Sequence, residues 1–306
     1  MKSISIALAA LSALAVGTAV QAQDIDYATG DLSFSRLSGD GGDLDVFAAN
    51  VAAGYRFDAV DVFGALDFAS LDIEGDELQV RSFTAGAGYT FGQLRADASY
   101  TTAELEVLDL SADTNLFEVG LGFDNGAFSG RLGYAFLDDE DLGADALYGV
   151  ALGYDVSSEL EASVSFHRIE GATGGLDDSL AIADVTYDGE LVAASLDLIR
   201  LGDDASAVAV SGAYDFGQGY GVIGGFGSLS ADGDQVATLS SLGGFYRITD
   251  DLKASVEYFR VDADDLGDVD GFTLLLSYDL GRKPTARQTQ LDRVTGALEG
   301  LSGFGF

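Results

Sequence analysis

The sequence predicts an all-β protein, a transmembrane antiparallel up-and-down β-barrel of about 16 strands. Two observations carry this prediction. Apolar and polar residues alternate over segments of about ten residues, and a short phrase ending in Tyr or Phe recurs along the chain. A third observation, 41 Gly against a single Pro, is typical of sheet rather than of linker, because Pro cannot donate to a strand ladder.

Residues 1–22 are predicted to be a signal peptide. Lys2 supplies a positive charge, residues 4–16 form a short apolar run, and Val20 and Ala22 occupy the minus-three and minus-one positions of a signal-peptidase site. We therefore expect the mature chain to begin at the next residue. The apolar run is shorter than the ~20 residues that a spanning helix needs, and no later segment is long and apolar enough to form one.

The rest of the chain repeats at a spacing of about 32 residues. Each repeat ends in one or two small residues, an aromatic residue and then a turn. The aromatic positions are Tyr55, Tyr89, Phe123, Tyr154, Tyr187, Tyr214, Tyr246 and Tyr278. Apolar residues occupy every second position before each aromatic residue and again after each turn. Each repeat is therefore predicted to be a pair of antiparallel strands with one apolar face.

With a first strand near Ala28, these pairs give sixteen predicted strands, each near the ~9–11 residues that a tilted strand needs to cross a bilayer, and we expect residues 23–281 to form the barrel. The turns after even-numbered strands are predicted to be tight, as at Gly92 and at Asn125-Gly126, a pair that favours a two-residue hairpin turn. The connections after odd-numbered strands are predicted to be longer, and they are rich in Asp and Glu. Short turns on one rim and long loops on the other are typical of outer-membrane barrels, in which the termini and short turns lie in the periplasm.

The alternation assigns the apolar face to lipid and the polar face to the lumen. Sixteen strands enclose a space too wide for side chains to fill, so we expect an interior that is polar all the way round and filled with water. A soluble barrel or sandwich would have the reverse arrangement, and an eight-bladed propeller would need four strands per repeat. The predicted pore-lining residues are Arg56, Asp67, Arg95, Asp97, Glu118, Arg131, Glu161, Asp197, Asp215, Arg247, Lys253 and Glu257, with His167 and Asp184 on the same parity.

The composition excludes several functions. With 51 Asp and Glu against 15 Lys and Arg, the chain is unsuited to nucleic acid, whose binding starts with cationic side chains displacing counterions. With no Cys and one His, the chain offers no thiol nucleophile, no disulfide and no Cys-ligated zinc. His167 has no identifiable catalytic partner, so we predict neither an enzyme nor a cofactor or metal site.

The signal peptide, the repeated aromatic hairpin ends, the sixteen strands and the acidic connections resemble a Gram-negative outer-membrane porin, most closely the alphaproteobacterial general type. The resemblance covers Asp24 to Leu280, nearly the whole mature chain. It implies a passive, trimeric channel in the bacterial outer membrane for ions and small hydrophilic solutes. A non-conducting structural barrel, or a receptor or adhesin, shares this architecture and is the alternative.

The chain departs from the family pattern at two places. In trimeric porins the third outer loop is long and folds into the lumen, whereas the corresponding segment here, residues 103–113, is much shorter. Its Glu104, Glu106 and Asp109 are the constriction-loop candidates, expected to face the basic wall formed by the inward arginines of the first half. Residues 282–306 follow the last predicted strand, and we expect them to form a periplasmic extension.

The acidic connections predict a preference for cations, because carboxylates attract cations over about one Debye length, ~8 Å at physiological ionic strength. The alternative is a solvated rim that resists aggregation and has little effect on conductance. Several arginines near the outer rim have the lipid-facing parity, where they could pair with lipopolysaccharide phosphates or simply extend to the interface. These arginines are Arg36, Arg81, Arg168, Arg200 and Arg260.

Small side chains have the lipid-facing parity on the second, fourth and fifth predicted strands. Close packing of small side chains favours association of proteins within lipid. This stretch is therefore predicted to be either a homotrimer contact or a wall facing lipid. Its residues are Ala49, Ala53, Ala85, Ala87, Ala96 and Ala98.

Overall fold

Sixteen antiparallel strands close into one barrel in the computed structural model. The structure describes residues 25–39, 42–73, 76–107, 110–137, 146–171, 178–202, 205–263 and 267–280, so the predicted signal peptide and C-terminal extension lie outside the described residues. Each strand pairs with its neighbours in sequence, and the first pairs with the last. The predicted fold class and strand number are confirmed. None of the described residues forms a helix long and apolar enough to cross a membrane.

The bounds of the strands are β1 Ile25–Gly39, β2 Gly42–Phe57, β3 Val60–Ile73, β4 Asp76–Phe91, β5 Leu94–Val107, β6 Leu110–Asp124, β7 Phe128–Leu137, β8 Ala146–Asp155, β9 Leu160–Glu170, β10 Asp178–Asp188, β11 Val192–Leu201, β12 Ala205–Asp215, β13 Tyr220–Ala231, β14 Asp234–Arg247, β15 Leu252–Ala263 and β16 Gly267–Leu280.

The strands differ in length around the barrel. Strands β1–β6 have 14 to 16 residues each, whereas β7–β12 have 10 or 11. The apolar pattern fades at the ends of the long strands, but backbone pairing continues, as in the pair Ser38↔Asp43. The alternation therefore predicted strands that are too short on this side.

The prediction of long connections on one rim is mostly wrong for the same reason. Between an odd-numbered strand and the next, only the connections at 138–145 and 171–177 exceed three residues. Several acidic residues that were expected in loops lie instead in the paired ends of strands, among them Asp43, Asp45 and Asp262. We call this side of the barrel, where the connections after odd-numbered strands lie, the outer rim.

The opposite rim carries the seven connections after even-numbered strands, which have two to four residues each. The turn at Asn125 has three residues rather than the expected two. Gly126 has a φ of 90°, a conformation that residues with a Cβ rarely adopt. Asn125 Oδ1 accepts hydrogen bonds from the backbone N–H groups of Ala127 and Phe128, at 3.1 and 2.8 Å. Both chain ends of the barrel lie on this rim, which is the periplasmic side in outer-membrane barrels.

The outside of the barrel is apolar. Leu121, Leu132 and Leu242 are 59, 58 and 70 % exposed, although each belongs to the apolar parity of its strand. Aromatic side chains collect at the strand ends next to the short turns, where the rings of Phe128 and Tyr154 lie 4.5 Å apart. An exposed apolar band edged by aromatic rings is the surface that a barrel presents to lipid. The apolar parity of each strand therefore lies on the outside of the barrel, as predicted.

Candidate functional site: the inner wall

The strand register fixes which side chains share the inner face, because directly opposite residues of an antiparallel pair point to the same side. Directly opposite pairs on this inner face occur all around the barrel, for example Arg56↔Asp61, Arg247↔Lys253 and Asp184↔Asp197. All twelve residues predicted to line the pore lie on it.

Five charged side chains on the inner face of β3–β7 form one continuous set of ion pairs, which we call the ion-pair ladder: Asp61, Arg95, Asp97, Arg131 and Glu118. Arg95 Nη2 lies 2.6 Å from Asp61 Oδ2, and its Nη1 lies 2.8 Å from Asp97 Oδ2. Arg131 donates to both oxygens of Asp97, at 2.5 and 2.7 Å, and to Glu118 Oε1 at 2.7 Å. All five residues are at least nine-tenths buried.

Two glycines make room for the ladder. Arg95 reaches across β4 to β3, and a Cβ at Gly88 would lie 2.4 Å from Arg95 Nη2. Arg131 reaches across β6 to β5, and a Cβ at Gly120 would lie 2.2 Å from its Nη2. Such distances are too short for non-bonded atoms, so a larger residue at either position would force the buried guanidinium group to move. Each guanidinium can therefore lie flat on the strand between its own strand and that of its partner.

The inward arginines do not form the basic wall that the sequence led us to expect, because carboxylates neutralise them. Its two guanidinium groups are matched by three carboxylates on the same side of the barrel. The third inward arginine, Arg56, lies 3.2 Å from Asp26 Oδ2. Parity alone could not show this, because the pairing depends on which residues two strands apart come level with each other.

The inner face of β9–β11 is acidic. Asp184 and Asp197 are directly opposite each other in the β10–β11 pair, and Glu161 lies one strand away on β9. Serine hydroxyl groups form hydrogen bonds to both carboxylates: Ser163 donates to Asp184, and Ser195 Oγ lies 3.4 Å from Asp197 Oδ2. Across the described parts of β8–β13 no Lys or Arg lies on the inner face.

The other predicted pore-lining residues are spread over the remaining wall. Arg247 Nη2 lies 3.2 Å from Asp215 Oδ2, and the ammonium of Lys253 lies 5.9 Å from the centre of the Phe245 ring. Ser82 donates to Asp67 at 2.6 Å. Glu257 lies on β15 opposite Gly243 and is partly buried.

The constriction-loop candidates do not lie in a loop. Glu104 and Glu106 belong to β5, on the outward face, where they lie 3.6 and 3.0 Å from the guanidinium of Arg81. Most of the expected loop is strand, because β5 runs to Val107 and β6 begins at Leu110. Asp109 lies outside the described residues. The structure thus assigns the two glutamates to the outer surface.

The expectation of an interior that is polar all the way round is wrong near the outer rim. There, the side chains that the structure describes include large apolar residues on the inner face of fourteen strands, and we call this set the apolar collar. Its members are Leu37, Leu44, Val46, Leu71, Leu78, Val80, Leu116, Leu137, Leu147, Ile169, Leu180, Ile182, Ile199, Leu201, Leu229, Leu239, Phe259, Val261 and Val269. The sequence does show Leu, Ile and Val at inward-parity positions near the outer strand ends. They were missed because the strands predicted from the repeat ended before these positions.

His167 lies on the inner face of β9, fully buried, with Nε2 at 2.9 Å from Ser165 Oγ. Among the residues that the structure describes, no three His, Asp or Glu side chains are arranged to hold a metal ion.

The outer-rim arginines lie on the outward face as predicted, and carboxylates already engage three of them. Arg36 lies 2.9 Å from Asp43, and Arg260 pairs with Asp268, as Arg81 does with its two glutamates. Arg200 donates to the backbone carbonyl of Gly202 at 3.1 Å. Arg168 is exposed, and no described carboxylate lies within ion-pair distance of it.

The family comparison decides what this barrel is. A sequence model of the Gram-negative porin family matches residues 77–294. The chain is a Gram-negative porin. No curated protein matches the sequence. Porins are passive, non-enzymatic channels of the bacterial outer membrane.

Solved porin structures share the fold at low sequence identity. Acinetobacter baumannii OccAB4 is 10 % identical with a TM-score of 0.56 over 85 % of this chain and 99 % of its own. Pseudomonas aeruginosa OccK5 (OpdH) is 14 % identical with a TM-score of 0.55 over 84 % and 98 %. Pseudomonas aeruginosa OpdQ is 12 % identical with a TM-score of 0.54 over 83 % and 99 %.

The close contact between Gly120 and Arg131 gives a first prediction. Replacing Gly120→Ala is expected to destabilise the barrel by about 1–3 kcal/mol, the usual cost of overpacking, because the new Cβ displaces Arg131. Urea titration of the refolded porin in lipid vesicles measures it. Gly212→Ala is the matched control, since its Cβ would lie an ordinary 3.7 Å from Ala193 O. Equal effects of the two substitutions would contradict the role of Gly120.

Proposed function

We propose that this porin is a general channel for small hydrophilic solutes that favours cations over anions. The observation that carries the proposal is the excess of carboxylates on the inner wall. The ion-pair ladder has three carboxylates for two guanidinium groups, and the β9–β11 wall adds Asp184, Asp197 and Glu161 without a base on its inner face in the described residues. A passing ion therefore meets a negative potential from both sides of the lumen.

The outer rim supports the same preference. Each of three outward arginines lies between strand ends that carry more than one carboxylate. Arg36 faces Asp43 at 2.9 Å and Asp45 at 3.7 Å, and Arg81 faces two glutamates in the same way. The rim is thus negative after its arginines are paired. We also propose that the chain belongs to the alphaproteobacterial general type, on the basis of its acidic outer rim and repeated aromatic strand ends.

The reversal potential of a planar bilayer in a KCl gradient tests the cation preference. We expect the ratio of K⁺ to Cl⁻ permeability to exceed one. A carboxylate about 8 Å from an ion contributes ~0.5 kcal/mol in water, so the double variant Asp184→Asn/Asp197→Asn should lower this ratio by about two- to fivefold at low salt. Asp184→Glu/Asp197→Glu, which keeps both negative charges, is the matched control and should leave the ratio near its native value. A wild-type ratio at or below one would reject the proposal.

We further propose that the porin forms a homotrimer through its small outward side chains. The register places Ala53, Gly64 and Ala85 side by side on β2, β3 and β4, and Ala87 opposite Ala98 on β4 and β5. Without bulky side chains, a second barrel can approach the sheet closely.

Single cysteines test this contact, since the native chain has none. Ala85→Cys is expected to give a disulfide-linked species on mild oxidation in membranes. Val210→Cys, exposed on β12 on the far side of the barrel, should remain monomeric. Equal cross-linking of both variants, or of neither, would contradict a contact at β2–β5.

Arg168 is our proposed contact for a lipopolysaccharide phosphate, because a guanidinium can form two parallel hydrogen bonds to such a group. The variant Arg168→Gln should retain less lipopolysaccharide during purification than the native porin. Arg260→Gln should retain as much as the native porin, since the guanidinium of Arg260 already pairs with Asp268. Lipopolysaccharide retention that is unchanged in Arg168→Gln would rule the contact out.

A further inference from the structure

The apolar collar is unexpected in a channel for hydrophilic solutes. Hydrated ions gain nothing from apolar side chains, and an apolar constriction impedes them by expelling water. Yet the collar occupies the outer end of the lumen, which every solute entering from outside must pass.

The collar is built as packed patches rather than as scattered side chains. One patch contains Leu37, Val46 and Phe259, at 6, 4 and 1 % exposure, with Val261 and Val269 against them. Phe259 fills the space over Gly271, where a Cβ would lie 2.4 Å from its ring. The other patches belong to β6–β9 and β10–β12.

Other members of the collar remain open to the lumen. Val80, Leu201 and Leu229 are 38, 43 and 42 % exposed, although all three lie on the inner face. The packed patches therefore provide a wall, and the exposed members provide apolar surface that a solute can contact.

The carboxylates of the inner wall begin directly below the collar. Asp184 and Asp197 come next after Ile182 and Ile199 on the inner face of β10 and β11, and the ion-pair ladder carries one more carboxylate than guanidinium groups. The outer rim adds Asp43 and Asp45 on its outward face, where both lie close to Arg36. A solute with an apolar part and a positive charge would satisfy both the collar and the carboxylates, whereas an apolar anion would satisfy only the collar.

We infer that the collar is a binding site for the apolar part of amphiphilic organic cations, of the alkylammonium class, as they enter the porin from outside. The inference rests on the cation preference proposed above and names the solute class that exploits it. Transfer of each methylene from water to an apolar wall is favourable, so binding should strengthen with alkyl chain length by up to about fourfold per methylene.

Block of K⁺ current by alkyltrimethylammonium ions tests the inference. The full-length porin is inserted in a planar bilayer, and tetramethyl- to hexyltrimethylammonium are added on the outer side. We expect the blocking concentration to fall steadily with chain length. The triple variant Val80→Thr/Leu201→Thr/Leu229→Thr places hydroxyl groups on the collar members that are exposed to the lumen, and it should flatten this dependence to less than about twofold per methylene.

The matched control is Val119→Thr/Leu132→Thr/Leu198→Thr, which makes the same changes at exposed positions on the lipid-facing side. It should block as the native porin does, and the heat-dependent gel mobility of both triple variants establishes that they fold. A blocking concentration independent of chain length, with K⁺ still favoured over Cl⁻, would overturn the collar site and leave the cation preference intact. Equal block by alkyl carboxylates of the same lengths would overturn the choice of cations.

Discussion

Closure of the sheet between β1 and β16 is the constraint on which the rest of the molecule depends. In hydrocarbon a backbone N–H or C=O without a partner costs several kcal/mol, so a spanning sheet must have no edge. The twelve residue pairs from Ala28↔Leu280 to Gly39↔Val269 remove that edge. Once the sheet is closed, alternation divides every strand between lipid and lumen, and only the inner side chains are free to vary with function.

The inner face combines two kinds of chemistry at different heights. Charged groups dominate its middle and periplasmic part, where the ladder and the Asp184–Asp197 pair lie, and apolar groups dominate its outer end. Buried ion pairs contribute little net stability because both partners lose their hydration. The ladder is therefore best understood as a means of holding two guanidinium groups against the wall, so that they neither extend into the lumen nor reverse its charge.

The sequence was sufficient to predict the fold and the inward and outward faces of the strands, because the hairpin repeat and the alternation of apolar and polar residues are local patterns. It placed all twelve predicted residues on the inner face. It was insufficient for contacts between strands that are not neighbours. Asp61 has the same parity as Asp67 and could have been named, but the close approach of Arg95 to Gly88 and of Arg131 to Gly120 follows only from the register of β4 and β6. The outer strand ends were missed because the backbone of the acidic residues there stays paired between strands, although the apolar alternation that predicts a strand has ended.

The unequal strand lengths give the channel a slanted entrance. Strands β1–β6 have about four more residues than β7–β12, which raises their ends by roughly 10 Å once tilt is allowed for. Among the described residues, the barrel wall is therefore lower over β7–β12 than over β1–β6. In a trimer joined at β2–β5, the three high walls would meet at the symmetry axis. The three entrances would then open away from one another, so that negative charges at neighbouring mouths stand far apart.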